Sequence, residues 1–269
     1  MKYRGGMIRL SANLSTLFTE LPFLERFDAA AAAEFTAVEC QFPYEFDAEE
    51  VAGRRARAGV ECVLINAPPG RAGERGIASL PGREKDFEAS IELAARYARA
   101  MGARQVHVMA GLLPQGADRD AHLQVYVANL RRAARRLATE GIAVMIEPIN
   151  TRVDVPGYLL DGTTLALDCM QQAGEDNIRL QFDVYHMQIM QGDLLRSIER
   201  LLPVIGHIQI ADNPGRHEPG TGEIAFERLL PGIDALGYQG CIGCEYTPAA
   251  GTVEGLGWAR RWLRPAGAT

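Results

Sequence analysis

Eight short apolar runs recur along the chain, each followed by a turn and a stretch of helical periodicity. They occupy 8–14, 37–42, 60–66, 105–110, 143–147, 178–183, 204–209 and 241–245. The runs are near-continuous in Val, Ile, Leu, Ala and Cys rather than alternating, the pattern of a parallel sheet buried on both faces. Helices are predicted over 22–33, 47–58, 84–101, 119–140, 161–173 and 225–236, around Leu194, Leu195, Ile198 and Leu201, and over 252–263. Phe87, Ile91, Ala94, Ala95 and Ala98 form one apolar stripe on the third. Asp47 stands where an N-cap is needed, and Gly59 and Gly102 stand where helices end.

Strand and helix alternate eight times without a linker or a shift in composition, so residues 1–269 read as one domain. An eightfold alternation over ~250 residues favours a closed (β/α)8 TIM barrel, an α/β fold. The competitor is an open doubly wound sheet. It is set aside because no strand runs into a Gly-x-Gly-x-x-Gly turn opening a helix. One connection stands out: Pro68 to Gly82 is rich in Gly, Pro and Arg, and a loop of that length in a compact domain is usually functional or mobile. Arg71, Arg75 and Arg83, in or beside it, are either contacts for an anionic substrate or solvated loop charges.

Composition narrows the function. With 269 residues, 47% of them hydrophobic, the chain has enough material for one large core. A net charge of −6 argues against a nucleic-acid partner. No run reaches ~18 apolar residues, so no membrane span is expected. The basic start at Met1–Gly6 is not followed by an apolar segment, so no signal peptide is expected, and Met7 is a second candidate start. Five scattered cysteines suit a reducing cytoplasm. Cys241 and Cys244 form a Cys-x-x-Cys, but residues three apart in a strand face opposite sides, so they are read as two buried thiols rather than a redox pair.

The chemistry lies at the ends of the last four strands. The run Ala143–Ile146 ends in Glu147, and Pro148 stops it. Later runs end in Asp183, Gln209 and Glu245, each about one strand–helix unit further on. A carboxylate at the end of an apolar strand is costly unless paired. Each acid alone could be held by a helix N-terminus or an arginine. Four oxygen-bearing side chains at neighbouring strand ends of one barrel mouth instead make a metal site. Four hard oxygens select Mg²⁺ or Mn²⁺ over a structural zinc. His186 begins the sixth loop, as a substrate donor, a group behind the ligands or a structural residue. His207 falls inside the barrel below Gln209, His107 in the core and His122 on the surface. Arg216, in a Gly/Pro-rich loop, is a candidate for a bidentate grip on a substrate carboxylate.

Together these motifs resemble the hydroxypyruvate isomerase family, which includes the 2-oxo-tetronate isomerases and belongs to the xylose-isomerase-like barrels. The resemblance is carried by Glu147-Pro148-Ile149-Asn150, Asp183-Val184-Tyr185-His186, His207–Asp212 through Arg216–Pro219 to Gly222-Glu223-Ile224, and Ile242–Tyr246. It covers essentially the whole chain. It implies catalytic glutamates at Glu147 and Glu245 and metal ligands at Glu147, Asp183, Gln209 and Glu245. The implied reaction is an aldose–ketose type isomerisation of a small hydroxy-oxo acid, with the metal stabilising an enediolate and the two glutamates moving protons. No organic cofactor is implied, and a homo-oligomer is compatible with the family. Related ketose 3-epimerases usually carry His at the third ligand position, where this chain has Gln209. A ketose 3-epimerase and a non-catalytic sugar-acid binding protein remain as alternatives. A multi-zinc endonuclease would need more histidines at the mouth and a basic face.

Overall fold

The computed structural model describes residues 8–263. The eight strands are β1 (Arg9–Asn13), β2 (Ala37–Cys40), β3 (Glu61–Asn66), β4 (Gln105–His107), β5 (Ala143–Ile146), β6 (Ile178–Asp183), β7 (Ile205–Ile210) and β8 (Cys241–Cys244). They pair in parallel in sequence order and close into a barrel, with β8 returning to β1. The outer ring consists of α1 (Arg26–Ala32), α2 (Ala48–Ala58), α3 (Glu84–Met101), α4 (Arg119–Ala138), α5 (Thr163–Ala173), α6 (Val184–Met190), α7 (Leu194–Leu201), α8 (Phe226–Ala235) and the single-turn α9 (Arg260–Leu263). No described helix is long and apolar enough to cross a membrane. The candidate start at Met7 lies outside the described residues.

Strand alternation sorts the barrel interior into layers. Ala37, Val63, Met145 and Cys241 pack together near the strand starts. Further along come Glu39, His207, Gln181 and Gly243; Asp183, Gln209 and Glu245 follow two residues after the last three of these, and Glu147 follows two residues after Met145. The opposite faces of the strands pack on the helices in one continuous apolar cluster. Cys241 belongs to the inner cluster and Cys244 to the outer one, and all five cysteines are free thiols, so the Cys-x-x-Cys is no redox pair.

Three expectations are corrected. Asp183 does not lead into a loop: its Oδ1 accepts from the Tyr185 and His186 N–H groups and starts α6 directly. The closing stretch is not one helix but a 3-10 segment, Glu254–Trp258, followed by α9, because Gly255 and Gly257 weaken a continuous helix. His122 is buried rather than on the surface, since it shares the inward stripe of α4 with Tyr126, Leu130 and Ala133.

Candidate active site

The strand-end residues expected from the sequence meet in the barrel mouth, and all four are buried. Glu147 and Asp183 each have one oxygen anchored and the other turned toward His186, whereas both oxygens of Glu245 are engaged. Glu147 Oε2 accepts from Gln181 Nε2 at 3.0 Å, while Oε1 is buried without a partner. Asp183 uses Oδ1 to cap α6 and leaves Oδ2 facing inward, 3.4 Å from Arg216 Nη2. Glu245 Oε1 accepts from Asn13 at 2.8 Å and Gln41 at 3.0 Å, while Oε2 accepts from Arg216 Nη2 at 2.7 Å. Gln209 joins the floor: its Nε2 donates to Glu39 at 2.7 Å and Glu245 at 3.3 Å, and its Oε1 accepts from Gln181 at 2.6 Å. That leaves the amide oxygen of Gln209 one lone pair.

The electrostatics follow from this crowding. Burial, then the charges of Asp183 and Glu245, pushes the Glu147 carboxyl well above the usual range. Burial raises Glu245 to about 7, against the pull of Arg216. Arg216 is the cation that the three acids share. Burial works against its charge, but Glu245, Asp183 and Glu147 outweigh it and hold the guanidinium charged. Its guanidinium carbon stands 5.1 Å from the centre of the Tyr185 ring. Its backbone is in the left-handed region at φ 55°, and its carbonyl accepts from Thr247 N at 2.9 Å. The sequence placed Arg216 in the mouth, and there it serves first as countercharge to the acids.

His186 is oriented by Asn150, the last residue of the Glu-Pro-Ile-Asn motif. Asn150 Oδ1 accepts from the N–H groups of Val153 and Asp154, which turns its Nδ2 toward His186 Nδ1 at 2.7 Å. Nδ1 is therefore the acceptor. Burial pulls the imidazole down to about 4, with Arg216 adding to this and Asp183 opposing it, so His186 is neutral with its proton on Nε2. Nε2 lies 3.7 Å from both Glu147 Oε1 and Asp183 Oδ2. Glu147, Asp183 and His186 do form a cluster tight enough for an ion. With Asn150 so placed, however, His186 offers a donor there and not a ligand lone pair.

Glu39 was not singled out from the sequence. Its carboxylate is fully buried below the acids and accepts from Ser11 Oγ (2.8 Å), Asn13 Nδ2 (3.2 Å), His207 Nε2 (2.9 Å) and Gln209 Nε2 (2.7 Å). Burial raises its pKa, but His207 and these hydrogen bonds outweigh that and the net shift is downward. Gly243 makes room for it: a Cβ there would stand 2.5 Å from Glu39 Oε1. The sequence signal was an acid between Val38 and Cys40 in a four-residue strand. His107, expected in the core, is buried in the cavity wall, and neither ring nitrogen has a partner.

The residues fit a hard divalent cation. Glu147 Oε1 and Asp183 Oδ2 stand with His186 in a cluster tight enough for an ion, and Glu147 Oε1 has no hydrogen-bond partner, whereas Glu245 lies outside that cluster with its inner oxygen held by Arg216.

A closed parallel barrel with acids at its C-terminal mouth defines a class, and comparison with known proteins makes it specific. The family model described as xylose isomerase-like TIM barrel matches residues 27–262, and the chain belongs to that family. The 2-oxo-tetronate isomerase of Cupriavidus necator is 49% identical over 259 residues, 96% of this chain and 99% of the relative. The hydroxypyruvate isomerase of Escherichia coli K12 is 46% identical over 261 residues, 96% of this chain and 99% of the relative. A crystal structure titled AP endonuclease, family 2, from Brucella melitensis superposes with a TM-score of 0.92 at 43% identity, covering 95% of this chain and 99% of the other.

Proposed function

We propose that this protein is a metal-dependent isomerase of a small hydroxy-oxo acid, converting hydroxypyruvate to tartronate semialdehyde or acting on a 2-oxo-tetronate. The observation that carries the reading is the buried cluster of Glu147, Asp183 and His186, in which each acid has one oxygen anchored by a neutral donor and the other left toward the histidine. The isomerase names of the relatives support it. Glu147, Asp183, Gln209 and Glu245 would hold a divalent Mg²⁺ or Mn²⁺, which when bound supplies Lewis-acid stabilisation of the charge on two neighbouring substrate oxygens.

The chain's own groups do the rest. One of Glu147 and Glu245 takes the proton from the hydroxyl-bearing carbon, and the C–H electron pair moves into the carbonyl to give an enediolate. The other glutamate returns a proton to the former carbonyl carbon, while the hydroxyl proton passes to the former carbonyl oxygen and a new carbonyl forms on the carbon that lost its hydrogen. A glutamate lifted toward neutrality by burial and like charge suits a proton that must come and go. His186 Nε2–H and Arg216 donate to the substrate oxygens beside the acids. Glu39 fixes Gln209 and, through it, the floor.

The test is a proton NMR spectrum in D₂O with Mg²⁺. Hydroxypyruvate should lose its methylene signal through isomerisation and exchange, a chelator should abolish the change, and added Mg²⁺ or Mn²⁺ should restore it. Activity in thoroughly demetallated protein, or turnover confined to neutral ketohexoses as in a 3-epimerase, would overturn the reading.

A further inference from the structure

The acids, Arg216 and His186 occupy the β5–β8 side of the mouth. The cavity continues to the other side, where Asn66, Pro69, Glu74, Arg75, His107 and Met109 line it. A small acid whose reacting oxygens face the carboxylates must direct its remaining end there. The cations near that end are not equivalent. Arg83 is tied to Glu74 at 2.8 Å and to Asp86 at 2.5 Å. Arg216 is engaged by Glu245 and Asp183. Arg75 lines the cavity and makes no hydrogen bond or ion pair among the described residues.

The backbone that carries Arg75 is fixed. Its neighbour Gly76, at φ 110°, lies so close to Met109 that a Cβ there would stand 2.6 Å from the Met109 Cβ. Gly76 N donates to Pro69 O at 2.9 Å, and Ser79 N to Ala110 O at 2.9 Å. Glu74 is neutralised by Arg83 and also accepts from Arg71 N at 2.5 Å, which closes the turn before Arg75. A second observation points to a ligand on this wall. His107 is 1% exposed, yet neither ring nitrogen has a hydrogen-bond partner, and Nδ1 stands 3.5 Å from Glu147 Oε2. An orphaned buried imidazole in a cavity wall is costly until something meets it.

We infer that the β3–β4 side of the mouth is a carboxylate subsite, with Arg75 as the group that pairs with the substrate carboxylate and His107 as a neutral partner for a substrate oxygen. The inference rests on the proposed isomerase reading and deepens it. Arg75 makes the site choose acids over neutral sugars of the same length. Dihydroxyacetone is the matched neutral compound, since it replaces the carboxylate of hydroxypyruvate with CH₂OH.

The experiment uses the metal-loaded protein and the variants Arg75→Gln, Arg75→Lys and Arg71→Gln. Kinetics with hydroxypyruvate and dihydroxyacetone are paired with calorimetric titration of D-glycerate, an acid with no carbonyl to isomerise. Arg75→Gln should raise KM for hydroxypyruvate and weaken glycerate binding by about 10–100-fold, the range of a charge-assisted hydrogen bond. Its kcat should stay within about threefold, and dihydroxyacetone should be unaffected. Arg75→Lys should recover only part of the loss, and Arg71→Gln should match the wild type. Wild-type KM and glycerate affinity in Arg75→Gln would overturn the inference, as would wild-type protein that neither turns over nor binds a small acid. If glycerate binds in an Arg75-dependent way but no hydroxy-oxo acid is isomerised, the subsite stands and the isomerase reading falls.

Discussion

At the scale of single residues, the two oxygens of each acid have different work. Glu147 and Glu245 are proposed both to hold the metal and to move protons, whereas no proton transfer falls to Asp183. Glu147→Gln or Glu245→Gln keeps the size and one oxygen but removes the base. Turnover should fall by roughly 10²–10⁴ with only a modest loss of metal affinity. Asp183→Asn should lose metal first, and saturating Mg²⁺ or Mn²⁺ should restore part of its activity. If excess metal returns either glutamate variant to wild-type turnover, that glutamate is a ligand only. These acids were legible because each ends an apolar run. Glu39, Gln181 and His107 were harder to recognise because they sit one layer down, where inward positions resemble core. The partners of Glu39 lie on β1 and β7, far away in sequence.

At the scale of elements, the loop after β7 shows how backbone hydrogen bonding delivers a side chain. Asp212 is fully buried, and its carboxylate accepts from four backbone N–H groups: Asn213 (2.9 Å), Gly220 (2.8 Å), Gly222 (2.9 Å) and Ile224 (3.1 Å). Those bonds gather 213–224 into a compact loop and leave Arg216 aimed at the acids. Removing the carboxylate strands four backbone donors at once, and for the buried Ile224 N–H an unmet bond costs about 1–3 kcal/mol. Asp212→Ala should therefore lower the melting temperature markedly and cut activity through a displaced Arg216, although Asp212 touches neither metal nor substrate. An unchanged melting curve with full turnover would show that the loop holds itself without this residue. The sequence placed Asp212 in a motif but gave it no role, since its partners are backbone groups spread over twelve residues. It also missed α6, because Asp183 was read as a strand end and not at the same time as a helix cap.

At the scale of the whole molecule, the eightfold alternation was legible because the apolar runs are buried on both faces and strand and helix follow one another in order, with the long connections, 67–83, 147–162 and 211–225, gathered after strand ends. The mouth they surround is the least settled part of the fold. Three acids with inward oxygens repel one another in a low-dielectric setting, and Arg216 balances them only in part. A cation that binds the folded mouth and not the unfolded chain must then stabilise the fold. At a hundredfold excess over its Kd, Mg²⁺ or Mn²⁺ should add roughly 2.7 kcal/mol, about 5–10 °C in melting temperature for a chain of this size. Removing an inward oxygen also removes repulsion. Asp183→Asn should therefore melt no lower than the wild type without metal, apart from a small loss at the α6 cap, and should respond much less to added ion. Thermal unfolding of both proteins in EDTA and across a metal titration measures this directly. Equal metal-induced shifts in the wild type and in Asp183→Asn would place the ion somewhere other than the mouth, and the ligand set proposed from the four strand ends would be wrong.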